Sequence, residues 1–138
     1  MVTSDKSDND LTILLPLKDR VSFTFRWMSY TNGIYFPFSV LIADGGSDDS
    51  VARVLSNSAA FPNVHYEYLR YPRDKSYTDY NAKLADALSR IQTPFVALAD
   101  NDDFFIVSGL RKALRFLLDH PDYATCGGQC AVDRKSVV

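Results

Sequence analysis

Two cysteines, two histidines and six glycines among 138 residues narrow the range of functions this chain can have. Cys126 and Cys130 flank Gly127, Gly128 and Gln129 near one end. A structural zinc site needs four ligands. There is no third cysteine, and His65 and His120 lie far off in sequence. Reduced thiols are therefore the expectation, and the histidines carry no chemistry. The glycines do not form either common phosphate-binding signature. Where a dinucleotide-binding strand would run into three spaced glycines, this chain has Pro16, Leu17, Lys18, Asp19 and Arg20. No glycine-rich loop ends in Lys followed by Ser or Thr.

Basic runs are also missing. With a net charge of −2, nucleic acid is not the expected partner. The longest uncharged stretch, residues 27–43, is broken by Asn32, Gly33 and Pro37, so no transmembrane segment is expected. Residues 1–10 are polar and acidic, unlike a signal peptide. A cytoplasmic protein is expected, with peripheral attachment to a membrane left open.

What is present is enough for one domain. A 46% hydrophobic and 23% charged chain of this length can bury a real core. Residues 11–16 form an unbroken apolar run, as in a strand buried on both faces. Residues 21–30 place Phe23, Trp27 and Tyr30 at helical spacing, with Asn32 and Gly33 as a stop. A second buried strand spans 38–43 and turns at Asp44, Gly45 and Gly46; Ser47 then caps a helix with Asp48 and Asp49 in its first turn. Residues 64–70 read as a third strand. The next helix is capped by Thr78, with Tyr80, Leu84, Ala87, Leu88 and Ile91 inward. A fourth strand, 95–99, runs into Asp100, Asn101, Asp102 and Asp103; Ser108 caps the last helix, and residues 123–126 start a fifth strand.

This alternation predicts an α/β fold, a mostly parallel sheet with helices on both faces. Residues 1–10 are expected to be a flexible lead, 11–128 the domain, and 129–138 a frayed or truncated tail.

In an open parallel sheet, ligands bind beyond the carboxyl ends of the strands. Those ends deliver Lys18, Asp19 and Arg20, then Asp44, then Arg70 and Arg73, then the acidic cluster. Three carboxylates in four positions repel one another unless a cation neutralises them. All-oxygen ligands suit a hard ion, Mg²⁺ or Mn²⁺, with diphosphate oxygens and water completing its shell. The alternative is a solvated cluster ahead of a helix. Asp44 reads either as a turn former or as an acceptor for a pyrimidine N3–H or a ribose hydroxyl. Lys83 reads as a solvated lysine or as an arm toward the diphosphate. Arg70 and Arg73 read as loop charges or as phosphate or acceptor contacts.

Three blocks, LTILLPLKDR at 11–20, IADGGSDD at 42–49 and VALADNDDF at 96–104, resemble the ordered blocks of family 2 glycosyltransferases with the GT-A fold. The resemblance covers about residues 11–128. It implies a Rossmann-like GT-A nucleotide-binding half, with a UDP-sugar as donor and Mn²⁺ or Mg²⁺ as cofactor. It implies that Pro16, Leu17, Asp19 and Asp44 hold the nucleoside. It also implies that Asp100 and Asn101 lie near ribose and diphosphate, and that Asp102 binds the metal. Ala43 stands where the family has a second acidic residue. Family members continue into an acceptor-binding half that carries the catalytic base. Neither Asp122 nor Asp133 stands in a context that marks it as that base, so the catalytic residue and the sugar acceptor are unassigned.

A hexosyltransferase completed by a partner chain or a further half is thus the leading expectation. A nucleotide-sugar-binding module, or a degenerate transferase without activity of its own, is the alternative. An unrelated Mg²⁺-dependent nucleotidyltransferase or phosphatase-like domain is a third reading. Its nucleophile would have to be Asp19, which lies beyond Pro16.

Overall fold

A computed structural model describes residues 5–131. The elements in chain order are β1 (Leu11–Leu17), α1 (Val21–Gly33), β2 (Ser39–Asp44), α2 (Ala52–Leu55), β3 (Tyr66–Arg70), α3 (Tyr77–Arg90), β4 (Phe95–Leu98) and α4 (Val107–Asp119). The four strands are parallel throughout, in the order β3-β2-β1-β4. The expected α/β architecture is therefore the one observed, and every strand points its carboxyl end to one rim.

The two-residue period of the strands divides the core. Ile13, Leu15 and Leu17 of β1 and Val40 and Ile42 of β2 join Trp27 and Met28 of α1, Leu55 of α2 and Leu114 of α4. Leu14, Leu41 and Ala43 face the other way, against Ala87, Leu84 and Ile91. So α3 covers one face and the other helices cover the opposite one. Burial of Trp27 and Phe38, among the largest fully buried side chains, stabilises by about 1.5–3 kcal/mol each. Val96 and Leu98 pair with Thr12 and Leu14, which puts them on the α3 side. α3 packs over β1 and β2, and these two residues stay exposed.

Several local expectations are corrected. Ser47 does not cap a helix: its N–H and hydroxyl both donate to Asp19, and the helix is delayed to Ala52. Ser76, not Thr78, caps α3, accepting from Asp79 N–H. Ser108 lies inside α4, whose cap position is Ile106. On α3, Leu88 is exposed, and Lys83 is buried along with Ala87. No fifth strand forms at 123–126; Tyr123 instead packs edge-on against Phe116 of α4. His120 stacks on the same Phe116 ring.

The expected flexible lead is also corrected in part. Lys6–Asp10 is a 3-10 turn with a capping box between Asp5 and Asp8. Asp8 is buried because Arg111 of α4 grips its carboxylate with two nitrogens at 2.8 and 2.6 Å. Residues 1–4, and 132–138 of the expected tail, lie outside the described residues.

Candidate functional site

The strand ends are tied to one another by main-chain bonds. Gly45 N–H donates to Leu17 O, Tyr71 N–H to Asp44 O, and Asp74 N–H to Gly45 O. Three successive strand tips thus become one surface. Beneath it lies a buried ion pair. Lys83 reaches up from α3 to Asp74, and its Nζ also donates to Leu17 O at 2.8 Å. Both residues are 3% exposed or less. Gly45 makes room for this pair: a Cβ there would sit 2.5 Å from the Asp74 Cγ. Its φ is not positive, so the requirement for glycine is steric rather than conformational. Oδ1 of Asp74 is buried without a hydrogen-bond partner. Lys83 is therefore buried rather than solvated, with its ammonium held under the tip of β1.

Asp44 is 1% exposed. Its Oδ1 accepts from Gly46 N–H at 2.8 Å and its Oδ2 from the Tyr68 hydroxyl at 2.5 Å. Burial, followed by this bond to Asp44, pushes the Tyr68 hydroxyl far above its ordinary range. Arg70 lies 3.5 Å from Asp44 Oδ1 and donates to the carbonyls of Asp44, Gly46 and Asp48. Asp44 from inside and Arg70 from the surface thus shape the loop that follows β2. Asp19 closes the same loop by accepting from Ser47 N–H at 2.7 Å and Ser47 Oγ at 3.0 Å. The Ser47 main-chain bond holds the Asp19 carboxyl below its usual range.

Asp19 and Arg20 both adopt left-handed backbone, φ 57° and 53°. For residues with a Cβ this costs on the order of 1–2 kcal/mol each. The double turn sends Asp19 toward Ser47 and Arg20 toward the end of β4. There, one carboxylate oxygen from each of Asp100, Asp102 and Asp103 lies within 4.8 Å of the others, all on exposed residues. Arg20 Nη1 pairs with Asp102 Oδ2 at 2.9 Å, and Arg26 Nη2 donates to Asp102 O at 3.5 Å. Asn101 turns inward and donates to Thr24 Oγ1 of α1 at 3.2 Å.

An open cavity of about 450 Å³ is lined by Lys18, Asp74, Lys75, Ser76, Tyr77 and Tyr80, residues that follow β1 and β3. Burial, then Asp100, then Asp74 raise the Tyr80 hydroxyl pKa, and the Lys83 ammonium lies 5.2 Å from its ring centroid. Tyr77 stands at the rim, almost wholly exposed.

Of the residues picked out in the sequence, Asp19 and Asp44 meet at one loop, and Asp100 and Asp102 meet in the cluster. Leu17 gives its side chain to the core and its carbonyl to Lys83 and Gly45. Pro16 is half-buried one residue earlier. Asp74, Gly45, Tyr77 and Tyr80 were not singled out as site residues. The only sequence signal for them was position: Gly45 directly after the second strand, the others in the loop and first turn after the third.

No family model matches this chain. Uncharacterized proteins of Mycobacterium tuberculosis and Mycobacterium bovis are 30% identical to it over 93 residues, 66% of this chain. The chain spans about a quarter of their length, 26%. Among solved structures, S. aureus TarS superimposes with a TM-score of 0.61 at 16% identity, over 81% of this chain and 20% of TarS. A shorter TarS structure, 1-349, gives 0.60 at 15% identity, over 81% of this chain and 33% of that one. The likeness shows the fold: the chain carries the GT-A-like, Rossmann-type α/β arrangement expected from its three sequence blocks.

Proposed function

We propose that this chain is the donor-binding half of a glycosyltransferase, which takes a nucleoside-diphosphate sugar, a UDP-sugar first among them, with Mn²⁺ or Mg²⁺. One observation carries the reading. Three exposed carboxylates converge at the end of β4 in a GT-A-like fold, and residues following β1 and β3 line a cavity large enough for a nucleoside. The donor set fits a hard divalent ion. It is all oxygen and open to solvent, so water and diphosphate oxygens can complete the shell.

In this reading Asp102 is the metal ligand, and Asp100 faces the ribose and diphosphate. Tyr77 and Tyr80 offer rings to the base or ribose, and Lys18 and Lys75 offer charge to the phosphates. Asp19, Asp44 and Arg70 keep the β2 loop in shape beside them. Lys83 supports the floor through Leu17 O instead of touching the diphosphate. The metal, when bound, neutralises charge on the departing diphosphate. The acceptor and the catalytic base belong to parts of the enzyme outside this constellation.

Calorimetric titration of UDP, GDP and other nucleoside diphosphates, with and without Mn²⁺, tests the reading. Metal-dependent binding of one of them, abolished by Asp102→Ala, is expected. Binding of every nucleotide without metal, or of none with it, would sink the proposal.

A further inference from the structure

The acidic cluster is already paired. Among the described residues, Arg20 is the cation whose side chain bridges to a cluster carboxylate, through Nη1 at 2.9 Å from Asp102 Oδ2. That oxygen belongs to the residue which the proposed function assigns to the metal. A guanidinium on that oxygen and a divalent ion on the same carboxylate repel each other, so the two compete for Asp102. Both partners are about half exposed, with side-chain accessibilities of 58% and 41%, so the pair is weak enough to exchange.

The backbone fixes where the arginine can go. Arg20 is the left-handed residue immediately before α1, at the tip of β1. Its guanidinium already rests over the Phe23 ring, 5.4 Å from the centroid. With 58% of its side chain exposed, the guanidinium can swing about its own side-chain bonds without a main-chain shift. Arg26 is differently placed. It holds a main-chain carbonyl of the same loop and lies over Phe104, so it fixes the loop and leaves the carboxylates free.

Resting on the metal reading above, we infer that Arg20 is the resident counter-ion of the cluster. It occupies Asp102 until a divalent cation displaces it, and then donates to the diphosphate that arrives with the cation. Arg20 thus opposes metal alone and favours metal with nucleoside diphosphate.

The test titrates Mn²⁺ alone, and then UDP at saturating Mn²⁺, into wild type, Arg20→Gln, Arg20→Lys and the distant charge control Lys112→Gln. Thermal melts confirm that each variant folds. Arg20→Gln is expected to bind Mn²⁺ about threefold to fivefold tighter, the range of an exposed ion pair. It is expected to bind UDP about tenfold weaker, as befits a lost bond to a charged group. Arg20→Lys falls between, and Lys112→Gln matches wild type. The opposite signs distinguish the exchange from general loss of charge or of structure. Unchanged or weaker Mn²⁺ binding in Arg20→Gln, or unchanged UDP affinity, overturns the inference while the metal reading survives. If Mn²⁺ neither binds wild type alone nor supports its binding of any nucleotide, both fall together.

Discussion

Replacement of Lys83 by Met should separate the buried ion pair from the surface chemistry around it. Met matches the length of the lysine stem, so packing against Tyr80 and Ala87 changes little. What is lost is the ammonium between Asp74 and Leu17 O. Leu17 O keeps its bond from Gly45 N–H. Asp74 fares worse: one of its oxygens already lacks a partner, and the other would lose Lys83. An uncompensated buried charge of this kind costs about 3–5 kcal/mol. That is a large share of the ~5–15 kcal/mol available to a domain. For a domain of this size each kcal/mol lowers Tm by about 3–5 °C, so a fall of roughly 10–20 °C is expected. Urea unfolding followed by circular dichroism gives the free energy. The decisive arm is Lys83→Met combined with Asp74→Asn, which removes both charges. The double variant should return to within about 1–2 kcal/mol of wild type. A loss below about 1 kcal/mol in the single variant, or a double variant as unstable as the two singles summed, would refute the argument.

Gly45→Ala should destabilise by about 1–3 kcal/mol, since its Cβ would collide with the held carboxylate of Asp74. The penalty should shrink in the Lys83→Met background, where Asp74 is free to move, and equal penalties in both backgrounds would count against the steric reading. At alkaline pH, Tyr71 should ionise late. Burial, and then its hydroxyl's 2.6 Å bond to Asp86, push its pKa from 10.0 up to about 12. Because the folded value is the higher one, this stabilisation is complete below pH 10 and disappears between pH 10 and about 12. Near-ultraviolet titration should show several late-ionising tyrosines, Tyr68 among them, and Tyr71→Phe should remove one of them.

The apolar strands were legible because β1 and β2 are covered on both faces, and such strands read as unbroken hydrophobic runs. Helix starts were harder to read. Ser47 has the residue type of a cap, yet Asp19, 28 positions earlier, takes both of its donors. That competition arises only once two strand tips lie side by side. The acidic cluster was legible from composition at a strand end, whereas its pairing with Arg20 was not, since 82 residues separate the partners. The burial of Lys83 was not legible for a related reason. A lysine beside an inward leucine reads as solvated until a loop carboxylate such as Asp74 is brought over it. Asp44 was placed correctly at the rim, but its bonds to Gly46 and Tyr68 became visible only with β3 alongside β2.

The uncovered side of β4 bears on how the domain behaves in the tube. β4 is an outer strand of the described sheet, only four residues long, and Val96 and Leu98 stand on it in the open. Its outward N–H and C=O groups offer another chain a ready line of partners, and the two side chains add an adhesive strip. At the concentrations calorimetry requires, two copies meeting along this strip would mimic a cooperative ligand. Paired Val96→Lys and Leu98→Lys substitutions would keep binding heats interpretable, since charges on an exposed strand are a natural guard against edge-to-edge growth.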